Sequence, residues 1–358
     1  MHKVHNYSAG PCILPESVLQ KAAESVRELD GIGLSLIEIS HRSKEFVAIM
    51  ENARGLVREL LNVPDNYSVL FLQGGASLGF YLSAINYMKN TGGRGAYVDT
   101  GAWSAGAIKE ASLLGEAITI ASSEGKNYNY IPKGYSTPMD ADYLHLTSNN
   151  TIFGTQFKAF PDSAVPVLCD MSSDIFSKPV DVSKFDLIYA GAQKNMGPAG
   201  TTLYIVNKDN LGKTGRKLPS MLDLAKQDAK DSMYNTPPVF AVYTSMLTLE
   251  WIKSMGGVEA MATRNEAKAK LLYSEIDRNP LFEGTTAVED RSNMNATFVL
   301  KDEAQHSEKF DKLWKAAQIS GIKGHRSVGG YRASMYNALP IESVQVLVDV
   351  MKELERTA

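Results

Sequence analysis

Seven short strand-like runs occupy the stretch from 69 to 206, at 69–72, 95–99, 117–121, 143–147, 165–170, 186–189 and 201–206. Several are continuously apolar. A strand with one face in water alternates apolar and polar residues, whereas a strand covered by helices on both faces does not. Helical patterns at 78–88 and 104–114 stand between some of the runs. These features predict an α/β chain: a mostly parallel, seven-stranded sheet sandwiched by helices. Such a sheet builds its ligand site beyond the carboxyl ends of its strands.

Two longer helical patterns follow, at 239–255 and 258–279, separated by Gly256-Gly257. The remainder changes character, with a strand at 296–300, a helix at 306–320, a strand at 331–336 and a helix at 341–355. Pro340 precedes that last helix, where a missing amide hydrogen costs little. The expected division is a large domain over 13–256 and a smaller α+β domain over 257–358, completed by residues 1–12. A chain of 358 residues, 44% hydrophobic and 22% charged, can form both.

Composition narrows the function. The formal net charge of -3 argues against a nucleic-acid partner, which would call for a basic face. No apolar run approaches the roughly 18 residues of a membrane span, and no leader pattern opens the chain. Cys12 and Cys169 make neither a disulfide framework nor a metal set, so a cytoplasmic location is expected. His2, His5, His41, His145, His306 and His325 show no metal-ligand spacing, and no metal is expected.

Several groups fall in loops beside the expected strands. Lys194 lies in the glycine- and alanine-rich run 190–200, between two of them. It is either a solvated loop lysine or a desolvated amine ready to form an imine, and the local pattern leaves both open. Gln73-Gly74-Gly75-Ala76-Ser77 joins a strand to a helix, where exposed amides could hold a phosphate; an ordinary turn reads the same way. Asp170 ends a buried run, with Asp174 close behind. A buried carboxylate needs a partner, which a protonated heterocyclic nitrogen or a cap by Ser172 or Ser173 would supply. Trp103 offers a flat face for stacking or for core packing. Ser148-Asn149-Asn150-Thr151 brings hydroxyls and amides to the same rim.

The remaining groups are cationic: His41-Arg42, His325-Arg326 and Arg332. Guanidinium forks match carboxylate and phosphate, so the set suits a substrate with two anionic ends, although surface ion pairs use the same residues.

An imine-forming lysine, a buried aspartate, a stacking indole and an anion-holding turn together describe a pyridoxal phosphate site. The chain resembles the phosphoserine aminotransferases, which are pyridoxal-phosphate-dependent enzymes of fold type I. The resemblance runs through Asn6-Tyr7-Ser8-Ala9-Gly10-Pro11, Ser40-His41-Arg42-Ser43, Asp170-Met171-Ser172-Ser173, residues 190–200 and residues 324–337. The last two stretches are specific to that family.

The resemblance implies a role for each residue. Lys194 would carry the cofactor and later move the substrate's Cα proton. Asp170 would pair with the ring nitrogen, Trp103 would stack on the ring, and Thr151 would bond near its 3′ oxygen. Ala76, Ser77 and Gln193 would hold the cofactor phosphate, joined across a homodimer interface by Asn235 and Thr236. Arg332 would take the substrate α-carboxylate. His41, Arg42, His325 and Arg326 would take a side-chain phosphate or the γ-carboxylate of glutamate. Some bacterial members carry arginine where this chain has Ser77, which leaves more of the phosphate grip to amides and the helix end.

The activity so implied exchanges an amino group between L-glutamate and 3-phosphohydroxypyruvate, giving O-phosphoserine for L-serine biosynthesis. A second phosphorylated substrate, used by bacterial relatives in pyridoxine synthesis, is left open by the sequence. The rival enzymes are an alanine-glyoxylate-type aminotransferase and a cysteine desulfurase. A non-catalytic α/β binding protein is the rival of another class, and it leaves Lys194, Asp170 and Trp103 without a common reason.

Overall fold

The computed structural model describes residues 4–326 and 328–358. Residues 1–3, with His2 and the start of the expected N-terminal supplement to the small domain, lie outside that range, as does Ser327. A seven-stranded sheet forms the centre. Its spatial order is Tyr67–Leu72, Thr202–Asn207, Leu187–Gly191, Val167–Asp170, Tyr143–Thr147, Arg94–Asp99 and Glu116–Ser122. Each expected run is present, with ends displaced by at most two residues.

Thr202–Asn207 runs antiparallel to both neighbours, and the other six strands share one direction. The exception has a simple cause. Only a short loop joins Leu187–Gly191 to Thr202–Asn207, too short for the crossover that parallel neighbours require. That loop carries Lys194.

Successive side chains along the strands enter opposite cores. Val69 and Phe71 join helices Lys44–Leu61 and Val239–Ser254 on one face. Leu70 and Leu72 join Gly75–Tyr87 and Ala102–Ala111 on the other. Glu116–Ser122, at one edge, is the strand that reaches solvent along its length. The opposite edge, Tyr67–Leu72, is buried throughout and its outward backbone is occupied. Arg54 Nε donates to the Val69 carbonyl at 3.0 Å, and the Phe71 amide donates to Ser232 Oγ at 3.0 Å. An edge filled in this way offers no template to another strand.

A separate apolar cluster gathers Tyr7, Phe282, Phe298, Phe310, Tyr331 and Leu347. It lies around an antiparallel sheet of Phe282–Gly284, Asn295–Leu300 and Tyr331–Ser334, covered by Glu303–Ala316 and Ile341–Thr357. Helix Gly257–Arg278 joins the two bodies: Val258 and Met261 pack in the large core, Ala269 and Leu272 in the small one. The helix expected at 306–320 ends at Ala316. Gln318 adopts a left-handed backbone, φ 57, and Ile319–Ser320 becomes a strand paired in parallel with His5–Asn6. Ile319 still points into the core, so its hydrophobicity continued the helical pattern past the true end. Among the described residues, no helix is long and apolar enough to cross a membrane.

Candidate active site

A cavity of about 470 Å³ opens at the carboxyl ends of the sheet, within the size range of small-ligand sites. Lys194, Asp170, Trp103, Thr151, Gln193 and Arg332 line it. Gly74, Gly75, Ala76 and Ser77 form another part of the wall, and His325 a further part. A wider open groove, about 1010 Å³, lies between Glu16–Arg27, Lys44–Leu61 and Val239–Ser254. Its Lys21, Glu24, Arg27 and Glu250 are mixed surface charges, and none of the groups singled out in the loops faces it.

Lys194 Nζ donates to Thr151 Oγ1 at 3.0 Å and lies 5.6 Å from the centre of the Trp103 ring. Burial pushes the ammonium below its ordinary value; Asp170 opposes that shift and Arg332 adds to it. Gly10 makes the approach possible. Its φ is +138, and a Cβ there would come within 3.3 Å of Lys194 Cγ. The lysine loop is tied to the N-terminal segment, since the Cys12 amide donates to Gln193 O at 3.2 Å and its thiol to the Lys194 carbonyl.

Asp170 is buried at the end of its strand, and burial raises its pKa against the opposing pull of Lys194. The Ser172 amide donates to Asp170 Oδ1 at 2.9 Å, so the local cap read from the sequence is present. The Ser172 hydroxyl also bonds this carboxylate, whose two oxygens can still accept more. Asp174 is a structural group: it accepts from Ser148 Oγ and, at 3.0 Å, from Gln156 Nε2.

Trp103 stands in the first turn of Ala102–Ala111. Ser104 Oγ holds that turn, accepting from the Thr100 and Gly101 amides at 2.8 and 2.9 Å and contacting Asp99 Oδ1 at 2.9 Å. Thr151 is placed by Asn150, whose Nδ2 donates to Thr100 Oγ1 at 3.0 Å. Helix Gly75–Tyr87 begins at the cavity with Gly74 as its N-cap. Gly74 has φ 104, and a Cβ there would collide with Leu78 at 2.4 Å. No side chain caps this helix, which leaves its first amides and the positive end of its dipole for an anion.

Arg332 reaches the cavity from Tyr331–Ser334, with Nη1 3.4 Å from the Thr151 carbonyl and a buried Nε that has no partner among the described residues. His325 joins it, while Arg326 is exposed beside the cavity-lining residues. His41 and Arg42 precede helix Lys44–Leu61, outside this cavity. His41 is half-buried, and its Nε2 has no hydrogen-bond partner among the described residues. Asn235 and Thr236 are also outside. The Thr236 carbonyl accepts from Gln73 Nε2 at 3.0 Å, which brings this segment beside the Gly74 turn. One contributor emerges that the residue-by-residue reading did not single out, Ala9-Gly10 on the wall, and Ser172, read as a cap, lines the cavity beneath Asp170. Ala9-Gly10 had a signal in the Asn6–Pro11 run.

A strand-end lysine and aspartate facing an indole and an open helix end are the equipment of an aminotransferase, and residues 4–347 match the class-V aminotransferase profile. The chain belongs to that family. Within it, the phosphoserine aminotransferase of Flavobacterium psychrophilum is 65% identical over 354 residues, covering 99% of each chain. The solved phosphoserine aminotransferase of Bacillus circulans subsp. alkalophilus superposes with a TM-score of 0.96 at 43% identity, covering 100% of this chain and 99% of the other. The pyridoxal-phosphate-bound phosphoserine aminotransferase of Trichomonas vaginalis gives a TM-score of 0.93 at 36% identity, covering 98% and 100%. The chain is thus a member of the phosphoserine aminotransferases.

Proposed function

We propose that the protein uses pyridoxal phosphate to exchange an amino group between L-glutamate and 3-phosphohydroxypyruvate, releasing 2-oxoglutarate and O-phospho-L-serine for L-serine biosynthesis. The observation that carries this reading is the convergence of Lys194 and Asp170 on one cavity, with Arg332 at its rim. The residues suit the cofactor chemically. The lysine is pushed toward its nucleophilic form, the aspartate keeps room to accept from a ring N–H, the indole lies beside the amine, and the uncapped helix can take a phosphate. When bound, the cofactor supplies an electron sink for the carbanion formed at the substrate's Cα.

The chain's own groups do the rest. Asp170, as a carboxylate, holds a proton on the ring nitrogen. Trp103 restricts the ring to one plane, and Thr151 orients the 3′ oxygen. Ala76, Ser77 and Gln193 hold the phosphate. Lys194, as a free amine, would take the substrate's Cα proton and deliver it to the cofactor's C4′. Arg332 fixes the α-carboxylate, and its buried unpartnered Nε is suited to that anion. His325 and Arg326 take the distal anionic group.

The proposal extends to a cytoplasmic homodimer in which His41, Arg42, Asn235 and Thr236 complete the neighbouring subunit's site. Their place outside their own cavity and the unpartnered His41 Nε2 support that arrangement. It also divides the chain into a cofactor-binding part, 13–256, and a smaller part, 257–358, joined by the N-terminal segment. Activity on 4-phosphohydroxy-L-threonine, for pyridoxine synthesis, would need the same grip on a phosphate. A desulfurase is disfavoured, because the Cys12 thiol faces the Lys194 carbonyl and burial pushes its pKa up to about 12, while Cys169 is buried in a strand.

The test is a half-reaction screen. The cofactor spectrum is followed while phosphoserine, 4-phosphohydroxy-L-threonine, glutamate, alanine or serine is added. Rapid conversion by glutamate and phosphoserine, with alanine and serine inert, is expected. Conversion by alanine but not phosphoserine would overturn the substrate assignment.

A further inference from the structure

Lys194 and Arg332 enter the cavity from different cores, so something must fix the distance between them. Direct coupling is slight: Arg332 Nη1 meets the Thr151 carbonyl at 3.4 Å. A stronger connection runs behind the cavity. Asn337 follows the Arg332 strand and is 7% exposed. Its main-chain amide donates to Oδ1 of Asn195, the residue after Lys194, at 3.0 Å. Its side chain is used in two further directions. Nδ2 donates to the Phe176 carbonyl at 3.0 Å, in the segment that follows Asp170, and Oδ1 accepts from Asn265 Nδ2 at 2.8 Å.

Asn265 lies on helix Gly257–Arg278, the element that packs in both cores. Lys268, three residues further along the same helix face, holds the other side of the Asn337 loop. Its Nζ donates to the carbonyls of Met335, Tyr336 and Leu339 at 2.9, 2.8 and 3.1 Å. A connecting loop at the surface would hydrogen-bond to water instead. This one is buried, with its polar groups directed to named partners on the lysine loop, the aspartate segment and the bridging helix.

We propose that Asn337 is a positioning residue for the amino-transfer reaction, setting the spacing between the Lys194 amine and the Arg332 guanidinium. It touches neither substrate nor cofactor. Its side chain, held by Phe176 and Asn265, fixes the main-chain amide that meets Asn195 on the lysine side, and its strand connection carries the arginine side. The inference rests on the roles given above to Lys194 and Arg332.

Asn337→Ala in the holoenzyme tests it, with Lys194→Ala assayed in parallel. A displaced amine lowers kcat by about tenfold while the KM values for glutamate and phosphoserine change by less than roughly threefold. The pH midpoint of the bound cofactor's visible absorbance should also move, by about half a unit, because the lysine's surroundings change. A purely structural asparagine would lower the melting temperature and leave kcat per folded site and the absorbance midpoint at their wild-type values; that result overturns the proposal. Asn265→Ala leaves the loop backbone intact and should shift both readouts in the same direction by less. It decides the matter on the same criteria if Asn337→Ala does not fold. A fully active Lys194→Ala protein would remove the reading on which the inference rests. An inactive one beside an unperturbed Asn337→Ala protein removes the positioning role alone.

Discussion

The Lys194 amine and the Thr151 hydroxyl meet at 3.0 Å, across residues that belong to different strand ends of one sheet. The hydroxyl accepts from the amine, and the Trp103 ring is close to the same nitrogen. A lysine held this way is half-buried, has its proton destabilised by burial and is aimed at a cavity rather than at water. Four expectations follow from that arrangement and its surroundings.

Lys194→Ala should abolish the visible absorbance of protein-bound cofactor and lower turnover by at least about a thousandfold, since nucleophile and proton carrier are lost together. Absorbance spectra and a coupled assay are sufficient. Retention of wild-type turnover would sink the assignment of this lysine.

Asp170→Asn keeps the shape of the side chain and removes the charge that holds a proton on the ring nitrogen. Turnover should fall roughly a hundredfold or more, the scale of losing one preorganised electrostatic contact. Cofactor content measured after gel filtration separates this effect from simple loss of binding. A fully loaded variant at wild-type rate would refute the role.

Arg332→Ala should raise the KM of both amino donors about tenfold or more, because a charged hydrogen bond to the shared α-carboxylate is worth roughly 1.5–3 kcal/mol. Arg326→Ala should act mainly on the phosphorylated substrate and leave cofactor loading intact. Steady-state kinetics with glutamate and phosphoserine distinguish the two. Equal damage to cofactor content and KM in the Arg326 variant would point to a structural arginine.

Lys268 gives a prediction about stability. Burial pushes its pKa from 10.5 down to about 7. Below pH 7 both folded and unfolded chains hold the proton, and the cost of burying the charge is present in full. Between pH 7 and 10.5 the unfolded chain keeps a proton that the folded one has lost, so this group makes stability rise with pH across that window. Lys268→Met lacks the titration. The wild type should therefore gain about 2 kcal/mol relative to the variant between pH 7 and pH 9, measured by urea unfolding at each pH. A pH-independent difference would mean that the buried amine stays charged.

The large sheet was legible because its signal is local: continuous apolar runs persist wherever helices cover both faces, as in Val167–Asp170 and Leu187–Gly191. Placing Lys194, Asp170, Trp103 and the Gly74 turn beside strand ends was enough to bring them to one rim. The end of the helix at Ala316 was not legible, since Ile319 continues the apolar spacing and only its pairing with His5 shows that the backbone has changed. Nor was the packing of Ala9-Gly10 and Cys12 around the lysine loop, because those contacts join residues far apart in the chain. Asn337 falls in the family-specific run 324–337, but its contacts were not legible, for a similar reason. A buried asparagine has no periodicity, and its three partners lie at three remote positions.

The strand pairing of His5–Asn6 with Ile319–Ser320 has a consequence for how the protein is made. His5 and Asn6 leave the ribosome long before the strand they pair with, which lies more than about 300 positions later. Until Ile319–Ser320 emerges, the segment leading to the Ala9-Gly10 wall lacks its strand partner. The chain can therefore acquire its large sheet before residues 319–320 emerge, whereas a complete site must wait for them and for Arg332.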